Sequence, residues 1–175
     1  MKPGSMLETL AIVEKNLPAL LYSLEGWTSL DVDYEPPRVE RLWMQIDTIR
    51  IYLHRIHPCE TALFHPHPWP SAVRVLSGRY EMAMGHRSDG MNMPPCVTSR
   101  LILTAGAAYE MTDEDSWHSV RPLDGPSLSV MVTGIPYTRS RRHPGKDKTL
   151  NPLSDVQATD LLRAFQNLLG VRILF

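Results

Sequence analysis

Two histidines, His65 and His67, lie in the run Phe64-His65-Pro66-His67-Pro68-Trp69-Pro70; Gly78 follows eleven residues after His67, and Trp117-His118 comes much later. Side chains on an extended segment alternate faces, so histidines at i and i+2 point to the same side and can share one ion. Imidazole suits zinc, copper, iron and nickel, and three protein ligands with open positions form the kind of site that does chemistry. His118 is the best third ligand. The pattern predicts a metal held by His65, His67 and His118, with a proline-rich surface turn as the plain competitor for the first pair.

Other residues bear on the same site. Trp69 and Tyr109 could line an apolar substrate pocket over the metal, whereas Trp117 reads as core. His54 and His57 are three apart on an extended run, so they fall on opposite faces and at most one looks inward. That pair reads as a strand end rather than a ligand set. Arg74 and Arg121 would grip a carboxylate in a bidentate fork. Strand parity, counted from Ser71 and from His118, turns both away unless a bulge resets the alternation. His86 and His143 sit in expected loops without partner spacing. Arg139, Arg141, Arg142, Lys146 and Lys148, offset only by Asp147, read as a solvated connector, and no nucleic-acid partner is expected.

Elements that could position these residues are visible in the pattern. Short extended runs at 41–47, 49–56, 62–67, 72–76, 79–85, 99–104, 108–111, 118–121 and 128–133 suggest a sandwich or barrel. Ser77-Gly78, Ser88-Asp89-Gly90, Ala105-Gly106 and Asp124-Gly125-Pro126 supply turn chemistry between them. Ser5-Met6-Leu7-Glu8 has the form of a helix capping box, with Leu7, Leu10 and Ala11 as an apolar stripe and Pro18 able to restart a second short helix through Tyr22. Ser154 to Gln157 is a second box, followed by Ala158, Leu161, Leu162, Phe165, Leu168 and Leu169 at helical spacing and a stop at Gly170.

At 175 residues and 43% hydrophobic content the chain suits one domain, 1–175, with a barrel core at about 40–134 and helical flanks at 5–23 and 154–169. Lys+Arg 18 against Asp+Glu 19 leaves a formal charge of -1, which recruits neither nucleic acid nor an anionic membrane. Cys59 and Cys96 are too few for a disulfide framework, so a cytoplasmic location is the simplest expectation. Glu14, Lys15, Asn16 and Pro18 break the N-terminal apolar stretch, so neither a signal peptide nor a membrane span is read there. The stripe at Leu7, Leu10 and Ala11, with Leu42-Trp43-Met44, offers apolar surface for a homodimer.

These residues resemble the cupin superfamily, whose first motif contains H-x-H, a glutamate and a closing glycine, and whose second contributes one late histidine. His65, His67, Gly78 and His118 fill those places; Ser71, seven residues before Gly78, stands where the glutamate ligand usually is, and Cys59 where the opening glycine would be. The second motif's proline, glycines and asparagine are largely missing. The resemblance spans roughly 40 to 134. It implies an all-β, double-stranded β-helix (jelly-roll) barrel with flanking helices, holding one divalent transition metal, with Fe(II) favoured and Zn or Ni as alternatives. The all-histidine set is similar to that of thiol and diketone-cleaving dioxygenases, which implies a non-haem Fe(II) dioxygenase acting on a small organic substrate. A non-catalytic or sensory small-ligand binder on the same barrel is the alternative. On this register Ser71 belongs to the substrate pocket, facing the metal through water.

Overall fold

A computed structural model describes residues 5–87, 93–138 and 149–171. Helix α1 (Met6–Leu20) precedes eight strands: β1 (Thr28–Val32), β2 (Val39–Ile46), β3 (Ile49–Ile56), β4 (His65–Pro66), β5 (Ser71–His86), β6 (Ser99–Thr104), β7 (Ala108–Met111) and β8 (Ser116–Thr133). Helix α2 (Asp155–Leu168) follows. Both capping boxes form: Ser5 Oγ accepts from Glu8 N–H and Ser154 Oγ from Gln157 N–H. Pro18 does not split the first helix as expected, because it lies in the last turn of α1 and little helix remains to be disturbed.

The strands are antiparallel throughout and build the jelly-roll barrel. The order is β1-β2-β3-β8-β5-β6, with β4 on β8 and β7 on β5. Two long strands carry the design. The early part of β5 pairs with the late part of β8 beside β3 and β7, while the late part of β5 pairs with the early part of β8 beside β6 and β4. Each long strand therefore serves both walls. The turn signals at Ser77-Gly78 and Asp124-Gly125-Pro126 mark bends inside these strands instead of ends, which is why four expected runs merge into two. Strand β1 was not anticipated, and β4 is only two residues long where a run at 62–67 was expected.

The bend changes which residues look inward. Before it Val73 faces the barrel interior, and after it Tyr80 does; register shifts between Val75 and Arg79 move the phase by one residue. Gly78 permits this. Its φ is +76°, and an added Cβ would lie 2.9 Å from Pro126 O and 3.0 Å from Ser127 Cα. Gly78→Ala is expected to cost about 1–3 kcal/mol through backbone strain and contact with a neighbouring main chain. Urea unfolding of the purified variant measures it; an unchanged midpoint would mean the bend tolerates a side chain.

Outside the sheet, α1 and α2 cover one face. Leu10, Leu17, Leu42, Leu53, Leu161 and Phe165 are buried together there. Gln166 Nε2 donates to Leu21 O at 2.6 Å, tying the two helical segments. Leu10 and Leu42, expected to offer surface to a second copy, are thus covered within the chain. Among the described residues, no helix is long and apolar enough to cross a membrane. Cys59 and Cys96 are free thiols. The basic residues Arg139, Arg141, Arg142, Lys146 and Lys148 lie outside the described residues, as does the turn Ser88-Asp89-Gly90.

Candidate metal centre

Strand pairing brings the three histidines together. His65 of β4 stands directly opposite His118 of β8, and opposed residues on an antiparallel pair share a face with their Cβ atoms close together. His67 follows two residues later on the same face. The ring centroids are 5.4 Å apart for His65 and His67, 4.9 Å for His65 and His118, and 4.5 Å for His67 and His118. One nitrogen from each ring lies within 4.8 Å of the others. That spacing needs only small side-chain adjustment to meet one ion with ordinary nitrogen ligand lengths of about 2.0–2.2 Å.

Neighbouring groups fix which nitrogen faces the ion. His65 Nδ1 is 3.1 Å from Leu63 O, a contact in which the ring must donate. His67 Nδ1 is 3.0 Å from Ser71 Oγ. Both contacts engage Nδ1, so Nε2 is the nitrogen that would face an ion held by the trio, as when an outer partner orients a ligating imidazole. Ser71 is fully buried. Its hydroxyl meets the His67 ring, and Ser71 is not among the residues that border the cavity described below. Ser71→Ala is expected to leave the fold intact and weaken metal affinity roughly 10–100-fold. Competition with a chelator reads that change, and unaltered affinity would mean the hydroxyl does not hold the ring.

The trio borders a cavity of about 130 Å³. Val73, Val120 and Met131 give it apolar walls, and Tyr109 lines it. Burial pushes the Tyr109 phenol up to about 12, and Tyr80 OH donates to Tyr109 OH at 3.4 Å. Tyr109 therefore stays protonated at neutral pH and can donate a hydrogen bond. Trp69 does not reach this cavity. It lines a separate depression with Gln45, Arg50 and Thr133, because the chain bends at Pro68-Trp69 and loses the strand alternation. Main-chain bonds from Tyr137 N to Pro68 O and from Gly134 N to Pro70 O hold that turn.

Arg74 and Arg121 do face away. Arg74 pairs with Glu14 of α1 at 2.6 Å, and Arg121 lies 3.6 Å from Glu81. The cavity cation is Arg41, which sequence reasoning missed. Its Nε donates to His54 Nε2 at 3.0 Å, and its guanidinium carbon sits 5.1 Å from the Tyr52 ring centroid. Burial lowers the Arg41 pKa, yet a guanidinium remains charged at neutral pH. His54 also lines the cavity. Burial first, then Arg41 and His67, hold its pKa well below the usual imidazole range, so it is neutral. His57 lies on the opposite side of β3, 3.5 Å from Glu40, as parity requires. A readable signal existed: the two-residue turn Asp47-Thr48 pairs Ile46 with Ile49 and so puts Arg41 opposite His54.

No protein-family model matches the chain, and no curated protein matches its sequence. Solved structures do. Fe(II)-HppE with the alternative substrate (S)-1-HPP superposes with a TM-score of 0.51 at 13% identity, covering 63% of this chain and 57% of that one. FeII HppE gives 0.50 at 13% identity, over 63% and 58%. Hydroxypropylphosphonic acid epoxidase from S. wedmorenis gives 0.49 at 16%, over 63% and 56%. This chain thus spans less than two thirds of the length of these neighbours. At such identities the likeness concerns architecture: the chain has the cupin fold, and its three-histidine cluster fits a divalent metal.

Proposed function

We propose that the chain is a mononuclear non-haem iron(II) dioxygenase acting on a small organic anion. The ligand set carries this reading: three imidazoles, with no carboxylate among them, bordering a largely apolar cavity. Neutral imidazoles leave a divalent ion its full charge, which favours an anionic substrate such as a thiolate or an enolate. Iron(II) is named with two of the HppE neighbours, and cobalt(II) with another. Bound there, ferrous iron would offer open positions at which substrate and dioxygen meet. For a thiolate the balance is RS⁻ plus O₂ giving RSO₂⁻, so the sulfur supplies every electron and no separate reductant enters.

The chain's own groups supply the rest. Val73, Val120 and Met131 keep the reaction space apolar, Tyr109 offers a neutral hydroxyl, and the Arg41 cation draws an anion inward. Apo-protein loaded anaerobically with ferrous iron, mixed with a panel of small thiols and β-diketones and then exposed to air, tests the proposal. Substrate-dependent oxygen uptake that His67→Ala abolishes is expected. Uptake matching free iron across the panel overturns it and leaves the second reading, a barrel kept for binding a small ligand; tight zinc retained through native purification points the same way.

A further inference from the structure

The cavity beside the trio has strands for most of its wall and one connection for its rim. That connection, residues 33–38 between β1 and β2, brings Tyr34, Glu35, Pro36 and Pro37 to the lining, and of all the lining residues only Glu35 and Pro36 are exposed. The connection is a strap between the cavity and solvent. Its base is clamped: Arg38 donates through Nε and Nη2 to the two carboxylate oxygens of Asp31 at 2.9 and 2.8 Å, and His57 N–H donates to Arg38 O at 3.0 Å.

Its tip is held differently. Pro36 and Pro37 have no N–H to give, so there the main chain can be tied only through its carbonyls. Among the described residues one such main-chain tie exists, from Leu63 N–H to Pro36 O at 2.7 Å. Leu63 O in turn accepts from His65 Nδ1 at 3.1 Å. A single residue thus holds the strap with its N–H and an imidazole of the trio with its C=O. The two groups belong to different peptide units on either side of the Leu63 Cα, so what passes between strap and ring is position. An ion on Nε2 fixes the His65 ring and makes its Nδ1–H a stronger donor. That draws Leu63 O to one place and steadies the N–H that holds the strap.

We propose that Leu63 is a positioning residue that couples the histidine trio to the strap: an ion held by the trio keeps residues 33–38 closed over the cavity, and an empty trio releases them. This rests on the trio holding an ion, as in the reading above, and not on the oxygen chemistry. Linkage makes the effect reciprocal, so a change that loosens the strap weakens ion binding by the same factor. For one hydrogen bond that factor is roughly 3- to 10-fold. With a cavity of about 130 Å³, the loaded protein is then the more selective form, since a ligand that reaches the trio has to fit beneath a strap held in place.

Zinc is the probe, because it has no redox chemistry of its own. Amide exchange followed by NMR on metal-free and zinc-loaded protein should show the Leu63 N–H slowed about 3- to 10-fold by zinc, beyond the change at the His57 N–H, which holds only the strap's base. Arg38→Gln, which removes the clamp without touching the trio, should weaken zinc by a similar factor in competition with a chelator. An ester in place of the amide between Ala62 and Leu63 deletes the N–H alone and should do as much. The two changes together should cost little more than either, as two cuts in one chain of contacts do. Circular dichroism should stay the same throughout. A Leu63 amide that slows no more than the His57 amide, zinc affinity untouched by either change, or losses that simply add overturns the coupling and leaves the metal site in place. Zinc that fails to bind the wild-type chain overturns both. Coupling that holds in a protein without substrate-dependent oxygen uptake overturns the dioxygenase reading and leaves the role of Leu63 standing.

Discussion

His118→Ala, purified without added metal, is expected to carry almost no iron, zinc or nickel, where the wild-type chain is expected to carry close to one ion. His118 is buried at 4% exposure, and its removal takes one of three nitrogen donors while the other two stay on a short, proline-bounded segment. Two imidazoles alone give no closed set for a first-row ion. Folding should survive, because the residue's backbone pairing with β4 and β5 does not depend on the ring. Circular dichroism and elemental analysis on one sample separate the two effects. His54→Gln serves as the control: its nitrogen is given to Arg41, so metal content should hold. Full occupancy in a His65→Ala, His118→Ala double variant would sink the assignment of the site.

Much of the site was legible because its logic is local or depends on simple strand geometry. His65 and His67 share a face by alternation, and Gly78 marks a bend that only a positive φ permits. His118 was reachable as the one histidine late in the barrel region. Arg74 and Arg121 were set aside by parity, and both do look outward. The failures have equally local causes. Trp69 was placed over the metal as an aromatic next to the histidine pair, but the chain turns at Pro68-Trp69 and carries it elsewhere. For Ser71 the motif register gave a position along a strand but not the neighbour its side chain meets, which is the His67 ring. Arg41 was overlooked for another reason: its role comes from the strand beside it. Cross-strand register had to be counted from Asp47-Thr48 before Arg41, His54 and Ser129 could be seen as one line.

The same strands have two faces, and the outer one bears on the site. Leu42 and Leu53 point out to the helices while Arg41 and His54, their chain neighbours, point in. Phe165 of α2 is fully buried in that outer cluster. Phe165→Ala is expected to cost about 3–5 kcal/mol, since an emptied aromatic site relaxes only in part. That is a large fraction of the roughly 5–15 kcal/mol that holds an ordinary domain together. Urea unfolding should show the loss as a lower midpoint with little change in slope. The histidine trio belongs to β4, β8 and the turn after His67, so metal per folded chain should be nearly unchanged. Metal content that stays whole while the midpoint drops by the full amount means the helical layer contributes stability alone; metal lost in step with it means the layer also holds the trio.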